Sequence, residues 1–123
     1  MKTAMIIASD AGARTAGIIR EELGKEVDLF SVSERSGCVR IDSITDFTLR
    51  HFGDYEAFVF IGAMGICVRA IAPCVTSKYA DPAVVNVDAT GHFVVSVLAG
   101  HVGGANALTE RYIRGSACGY DPK

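Results

Sequence analysis

A chain of 123 residues has room for one domain, and half of its residues are apolar, enough to build a real core. The formal net charge is −2 and the twelve Lys and Arg are scattered rather than clustered, which argues against nucleic-acid binding. The four cysteines, Cys38, Cys67, Cys74 and Cys118, show no C-x-x-C spacing and no grouping with histidine, so no metal site is expected and each reads as a small buried apolar residue.

Met1-Lys2-Thr3 leads straight into a short strand over residues 3–8, without a leader-type cleavage pattern. Together with free thiols, this points to the cytoplasm. Ser9-Asp10 is placed to cap a helix from Ala11 to Leu23, in which Ala16, Ile19 and Leu23 fall at helical spacing; Gly24 stops it. Residues 27–32 read as a second strand and 33–40 as a polar loop. A short helix over 42–52 carries Ile44, Phe47 and Leu49 on its apolar side and ends at Gly53.

Ala57-Phe58-Val59-Phe60-Ile61 is a continuous apolar run, the pattern of a buried strand. The turn Gly62-Ala63-Met64-Gly65 follows, then a helix over 64–72 ended by Pro73. A loop over 74–82 closes on Asp81-Pro82, and Val84, Val85 and Val87 mark a fourth strand. Ala89-Thr90-Gly91 returns the chain as a hairpin into a fifth strand over 93–98. Residues 89–109 carry no Asp, Glu, Lys or Arg, yet two histidines, Asn106 and four glycines make a membrane span a poor reading. A last helix runs from Gly103 or Gly104 to about Ile113, and 115–123 is an irregular tail.

Helices alternating with apolar strands predict an α/β three-layer sandwich over residues 1–114, with a mixed, mostly parallel sheet of about five strands. With the fourth strand antiparallel to the third, the fifth runs parallel to the third. The turns 62–65 and 99–104 then share one edge, joined by Ser9-Asp10-Ala11-Gly12, while Asp88 falls at the far edge. Ligands of open α/β sheets bind outside the carboxyl ends of the strands.

Gly62-Ala63-Met64-Gly65 is neither G-x-G-x-x-G nor a P-loop, but such a turn offers helix-start amides to an anion; the plainer reading is a tight turn without a ligand. Arg69, the only charge between Glu56 and Lys78, lies one turn into the helix. It could reach a carboxylate held at the helix start, or pair with a surface acid. His101, flanked by glycines, suits a general acid or base, or a structural imidazole bonded to backbone carbonyls. Asn106 could orient a ligand oxygen or bond the local backbone. His51 and His92 read as surface residues. Cys67 sits in a first helical turn, where position favours a thiolate and burial opposes it. Ser96 has no G-x-S-x-G context.

The stretch from Phe60 through Gly62-Ala63-Met64-Gly65-Ile66-Cys67-Val68-Arg69-Ala70-Ile71-Ala72-Pro73 resembles one signature of the CbiG family of cobalamin biosynthesis proteins. Lys78, Asp81-Pro82-Ala83-Val84-Val85, Val87-Asp88, Gly91 and Leu98-Ala99-Gly100-His101-Val102-Gly103-Gly104-Ala105-Asn106 match its continuation in the same order. The resemblance is dense over 58–108 and looser over 1–56. It implies the N-terminal domain of a cobalt-precorrin-5A hydrolase, which opens the δ-lactone of a cobalt-corrinoid and releases acetaldehyde. It further implies a polycarboxylate substrate that carries its own cobalt, no separate cofactor, and a partner C-terminal domain. His101 is then a candidate acid or base. Gly62, Ala63, Met64, Gly65, Arg69, Gly100, Gly103, Gly104 and Asn106 are candidate substrate contacts. Two other readings are a non-catalytic corrinoid-binding module and a generic nucleotide-binding domain; the latter is opposed by the missing phosphate loop and ribose-binding acid.

Overall fold

A computed structural model describes residues 2–24, 26–77 and 80–98. Six strands, β1 (Thr3–Ile7), β2 (Val27–Ser31), β3 (Val39–Arg40), β4 (Ala57–Ile61), β5 (Ala83–Val87) and β6 (Val94–Leu98), form one sheet in the order β3-β2-β1-β4-β5-β6. Among the described residues three α-helices, α1 (Ala13–Leu23), α2 (Ile44–His51) and α3 (Met64–Ile71), cover it. The α/β class and the mostly parallel sheet agree with the sequence reading. The sixth strand is the two-residue β3, which lies within the expected polar loop and pairs with the end of β2.

Strand direction differs from expectation in one respect that matters. β5 runs parallel to β4, with Ala57 opposite Ala83 and Ile61 opposite Val87. Of the two antiparallel steps expected, the structure keeps the one between β5 and β6. The reason is the connection: α3 and the loop after it carry the chain back along one face, the crossover that a parallel pair needs. A tight hairpin joins β5 to β6, as expected, and reverses the chain there.

The alternating pleat divides the core between two faces. Met5, Ile7, Val59, Ile61, Val85 and Val87 pack with Ala16 and Ile19 of α1. Ala4, Ile6, Phe58, Phe60 and Val84 pack with Phe47 of α2 and with Cys67, Ala70 and Ile71 of α3. β1, β4 and β5 are buried along their whole length, which is why β4 reads as an unbroken apolar run, and β1 and β5 as apolar runs interrupted only by Thr3 and Asn86, rather than as alternations. The second face is strongly aromatic. Phe30 meets Phe47 at 4.3 Å between ring centres, and Phe58 meets both Phe52 and Tyr55 at 5.6 Å.

Ends of elements follow local chemistry, with one exception. The Ser43 hydroxyl accepts from the Asp46 amide and starts α2. Ser9 makes no such cap; residues 10–12 form a 3-10 turn, and α1 begins at Ala13. The Asp10 carboxylate is engaged instead by Arg35 in the β2–β3 connection. No helix among the described residues is long and apolar enough to cross a membrane. The expected last helix and the 115–123 tail lie outside the described residues.

Candidate functional site at the sheet edges

The carboxyl edge gathers the turns that follow β1, β2, β4 and β5, because all four strands are parallel. α1 leaves β1 over one face and α3 leaves β4 over the other, so the chain's winding changes sense between β1 and β4. That crevice is where open α/β sheets take ligands.

Two glycines bring its walls together. Gly62 has φ +148°, and a Cβ there would stand 2.8 Å from the Ala8 Cβ. A Cβ on Gly12 would stand 2.7 Å from Ile61 Cγ2. Across the same gap the Ala8 amide donates to the Ile61 carbonyl at 2.9 Å. The Gly62 amide donates to the Val87 carbonyl, also at 2.9 Å, so it is engaged inside the fold and not offered to a ligand. Asn86, buried below, donates from Nδ2 to the carbonyls of Phe60 (3.2 Å) and Gly62 (3.3 Å). Gly62 is therefore chiefly a packing residue.

The rest of that turn is open. Ala63, Met64 and Gly65 are exposed, and a Cβ on Gly65 would meet nothing within 4 Å. The amides of Met64 and Gly65 open α3 without a side-chain cap at Ala63. Arg69 is exposed on the same helix, about 7.5 Å along its axis from Met64. Cys67 is fully buried beneath them, and burial pushes its thiol up to about 12. Burial therefore prevails over its helix-start position, and Cys67 is an inert core thiol.

Asp88 is at this edge, not the far one, because β5 is parallel to β4. It holds the β5–β6 turn by accepting from the Phe93 amide at 2.7 Å, from the Thr90 amide at 3.3 Å and from the Thr90 hydroxyl. Burial pushes the Asp88 carboxyl up, but these hydrogen bonds and nearby His92 outweigh it and leave the group below the usual carboxylate range. The Thr90 oxygen also lies 2.8 Å from His92 Nδ1. Since the single Thr90 proton goes to Asp88, Nδ1 of His92 donates to the Thr90 oxygen. Thr15 of α1 anchors the turn, donating from its hydroxyl to the Ala89 carbonyl at 2.8 Å. Sequence reading assigned His92 to the surface and missed this link, since nothing in the order Asp-Ala-Thr-Gly-His reveals which hydroxyl meets which ring.

At the amino edge, Asp81 is buried and closes the loop before β5. It accepts from the Thr76 amide (2.9 Å), the Thr76 hydroxyl (2.9 Å) and the Ser77 amide (3.1 Å). Leu98, the last described residue, pairs with Val84 at this same edge. The chain therefore heads toward Gly100 and His101 from the edge opposite Gly62, and the deduction that both glycine turns share one edge loses its basis. Gly100, His101, Gly103, Gly104 and Asn106, like Lys78, lie outside the described residues. Among the described residues no three His, Cys, Asp or Glu side chains come together as a metal site.

Comparison with known proteins completes the description. A family described as "Cobalamin synthesis G N-terminal" matches residues 46–117, from within α2 through β6 and beyond. The chain is 56% identical over 71 residues to the cobalt-precorrin-5A hydrolase of Salmonella typhimurium, covering 58% of this chain and 20% of that protein. It is 50% identical over 58 residues to the cobalt-precorrin-5A hydrolase of Priestia megaterium, covering 47% of this chain and 16% of that protein. The chain thus spans a fifth or less of the length of these curated relatives. A crystal structure of a cobalamin biosynthesis protein G homolog from Sulfolobus solfataricus superimposes with a TM-score of 0.69 at 24% identity, over 91% of this chain and 33% of that one. That likeness is one of fold.

Proposed function

This chain belongs to the cobalamin synthesis G N-terminal family, and from that premise we propose that it acts in the opening of the δ-lactone of cobalt-precorrin-5A, with release of acetaldehyde. The observation that carries the reading is the 56% identity over 71 residues to a protein named for that hydrolysis. The stretch that the family matches, residues 46–117, includes the open Ala63-Met64-Gly65 turn, Arg69, and the segment from Gly100 to Asn106.

The substrate is a polycarboxylate macrocycle that carries its own cobalt, and the protein needs no cofactor beyond it. Helix-start amides at Met64 and Gly65 suit one of its carboxylates or the lactone oxygen. Arg69 adds a charge on the same helix. Gly62 serves by holding the turn against Ala8. Water attack on the lactone needs a base; His101 is the candidate in the matched segment, with the amides of Gly100, Gly103 and Gly104 and the side chain of Asn106 as further contacts. A partner segment corresponding to the rest of the relatives completes the enzyme, and the cytoplasm is where the reaction runs.

The test is incubation of the purified chain with cobalt-precorrin-5A, followed by assay for acetaldehyde and the opened product. Product formation that His101→Ala abolishes supports the reading. Product formation unchanged by His101→Ala removes His101 as the base. A shifted corrinoid spectrum without product indicates a binding module only. Tighter binding of a nucleotide than of the corrinoid favours the third reading, which the 3-2-1-4-5 order of the first five strands makes worth testing.

A further inference from the structure

The outward side of α3 lacks what the other two helices carry there. Arg14, Arg20, Glu21 and Glu22 are exposed on α1, and Asp46 and Arg50 form an ion pair on the surface of α2. α3 instead turns Met64 and Val68 to solvent, 36% and 47% exposed. The Val75 amide donates to the Ile71 carbonyl at 3.1 Å, so a helical turn persists past the end of α3. Ala72, also exposed, and Val75, 45% exposed, therefore continue the same stripe. From Met64 to Ser77 the one charge is Arg69. A surface helix keeps its charged residues on the solvent side, so an apolar outward stripe marks a contact surface.

Charge, area and length together say what covers it. Arg69 lies at mid-length of the stripe. Two-fold pairing with a second copy of this chain would bring the two Arg69 side chains together, with no acid on the stripe to offset them. One cation is also too few to hold a helix on an anionic membrane. Four side chains on one helix fall well short of the roughly 20–30 residues per side of an interface between free partners. A covalently connected partner needs less, because the connection itself supplies the concentration. The curated relatives have that connection: the region they share with this chain is a fifth or less of their length.

We propose that the α3 stripe is the seat of the further polypeptide that the relatives carry, which packs an apolar surface on Met64, Val68, Ala72 and Val75. The stripe begins at Met64, so the packed part stands beside the Met64 and Gly65 amides and Arg69. The candidate anion site then lies in a cleft between two parts of one protein, a preferred place for ligand sites, with Arg69 on its wall. The placing of the site rests on the function proposed above; the contact itself does not.

The test joins this chain, in place of the matching region, to the rest of the Salmonella typhimurium hydrolase and compares that chimera with the chain alone. Maleimide labelling of Val68→Cys, read by mass spectrometry, should be at least about tenfold slower in the chimera, where the thiol reacts only on opening of the contact. Arg14→Cys, on α1, should label equally in both. Hydroxyl-radical footprinting of the intact S. typhimurium hydrolase should show the helix that matches α3 protected, and this reading decides if the chimera does not fold. Val68→Lys with Val75→Lys should leave the melting temperature of the chain alone within a few degrees, as expected of surface positions. An unprotected helix in the intact hydrolase overturns the proposal, as does equal labelling of Val68→Cys in a folded chimera and in the chain alone. So does dimerisation of the chain alone that Val68→Lys abolishes, which assigns the stripe to a second copy. None of these measurements uses substrate, so the contact and the proposed lactone opening stand or fall separately.

Discussion

Gly62 has two separate reasons to be glycine: a backbone conformation at φ +148° and a neighbour, Ala8, standing where a side chain would begin. Gly65, three residues on, has neither. The two glycines of one motif should therefore part ways on substitution. Gly62→Ala is expected to cost about 2–3 kcal/mol, from strain and overpacking together. Gly65→Ala should be neutral or stabilise by about 0.5–1 kcal/mol in urea unfolding. If the amides there hold the corrinoid, Gly65→Ala weakens binding without loss of stability. Asp88 makes a second residue-level prediction. Its folded pKa is depressed, so its contribution to stability is present above the unfolded value of about 3.9 and is lost as pH falls through the folded value. Asp88→Asn should flatten the acid limb of the stability curve below about pH 4. Tyr55 behaves in the opposite sense. Burial, then a 2.9 Å hydrogen bond to Asp28 and the charges of Asp28 and Asp54, push its phenol up to about 12. Its contribution is complete below about pH 10 and fades as pH rises through 12. Absorbance titration of wild type against Tyr55→Phe should isolate that late phase.

Elements begin and end where short side chains and crossovers dictate. Ser43 caps α2 through the Asp46 amide, so Ser43→Ala should cost about 1 kcal/mol in urea unfolding. Asp81 does comparable work for a loop, accepting from two amides and a hydroxyl just before Pro82 leads into β5. The apolar runs at 57–61 and 83–87, the turn at Gly62 and the hairpin at 89–91 were all legible in the sequence. Their signals are local: burial on both faces, glycine, and turn residues. β3 was not legible, since two exposed residues, Val39 and Arg40, become a strand only by pairing with Phe30 and Ser31. Nor was the failed cap at Ser9, because Asp10 is claimed by Arg35, twenty-five residues away.

For the molecule as a whole, strand direction is the decisive quantity. β1 and β4 sit at the centre of the sheet, paired on both sides and buried throughout. Their amides should exchange slowest with solvent, and those of β3 fastest among the strands, in a native-state hydrogen-exchange experiment. With β5 parallel to β4, Asp88 and His92 join the carboxyl edge and Leu98 leaves at the amino edge. The described motif residues, from Phe60 to Leu98, are thus distributed along the sheet rather than in one turn. The sequence by itself determined the α/β class, the buried strands, the glycine turn after β4 and the family, because each is written in contiguous residues. Only the tertiary structure decided that β5 runs with β4, that the Gly62 amide is spent on Val87, that Thr90 links Asp88 to His92, and that Arg35 reaches Asp10. Those depend on which distant segments pack together, and a linear pattern of apolar and polar residues reads the same for either strand direction.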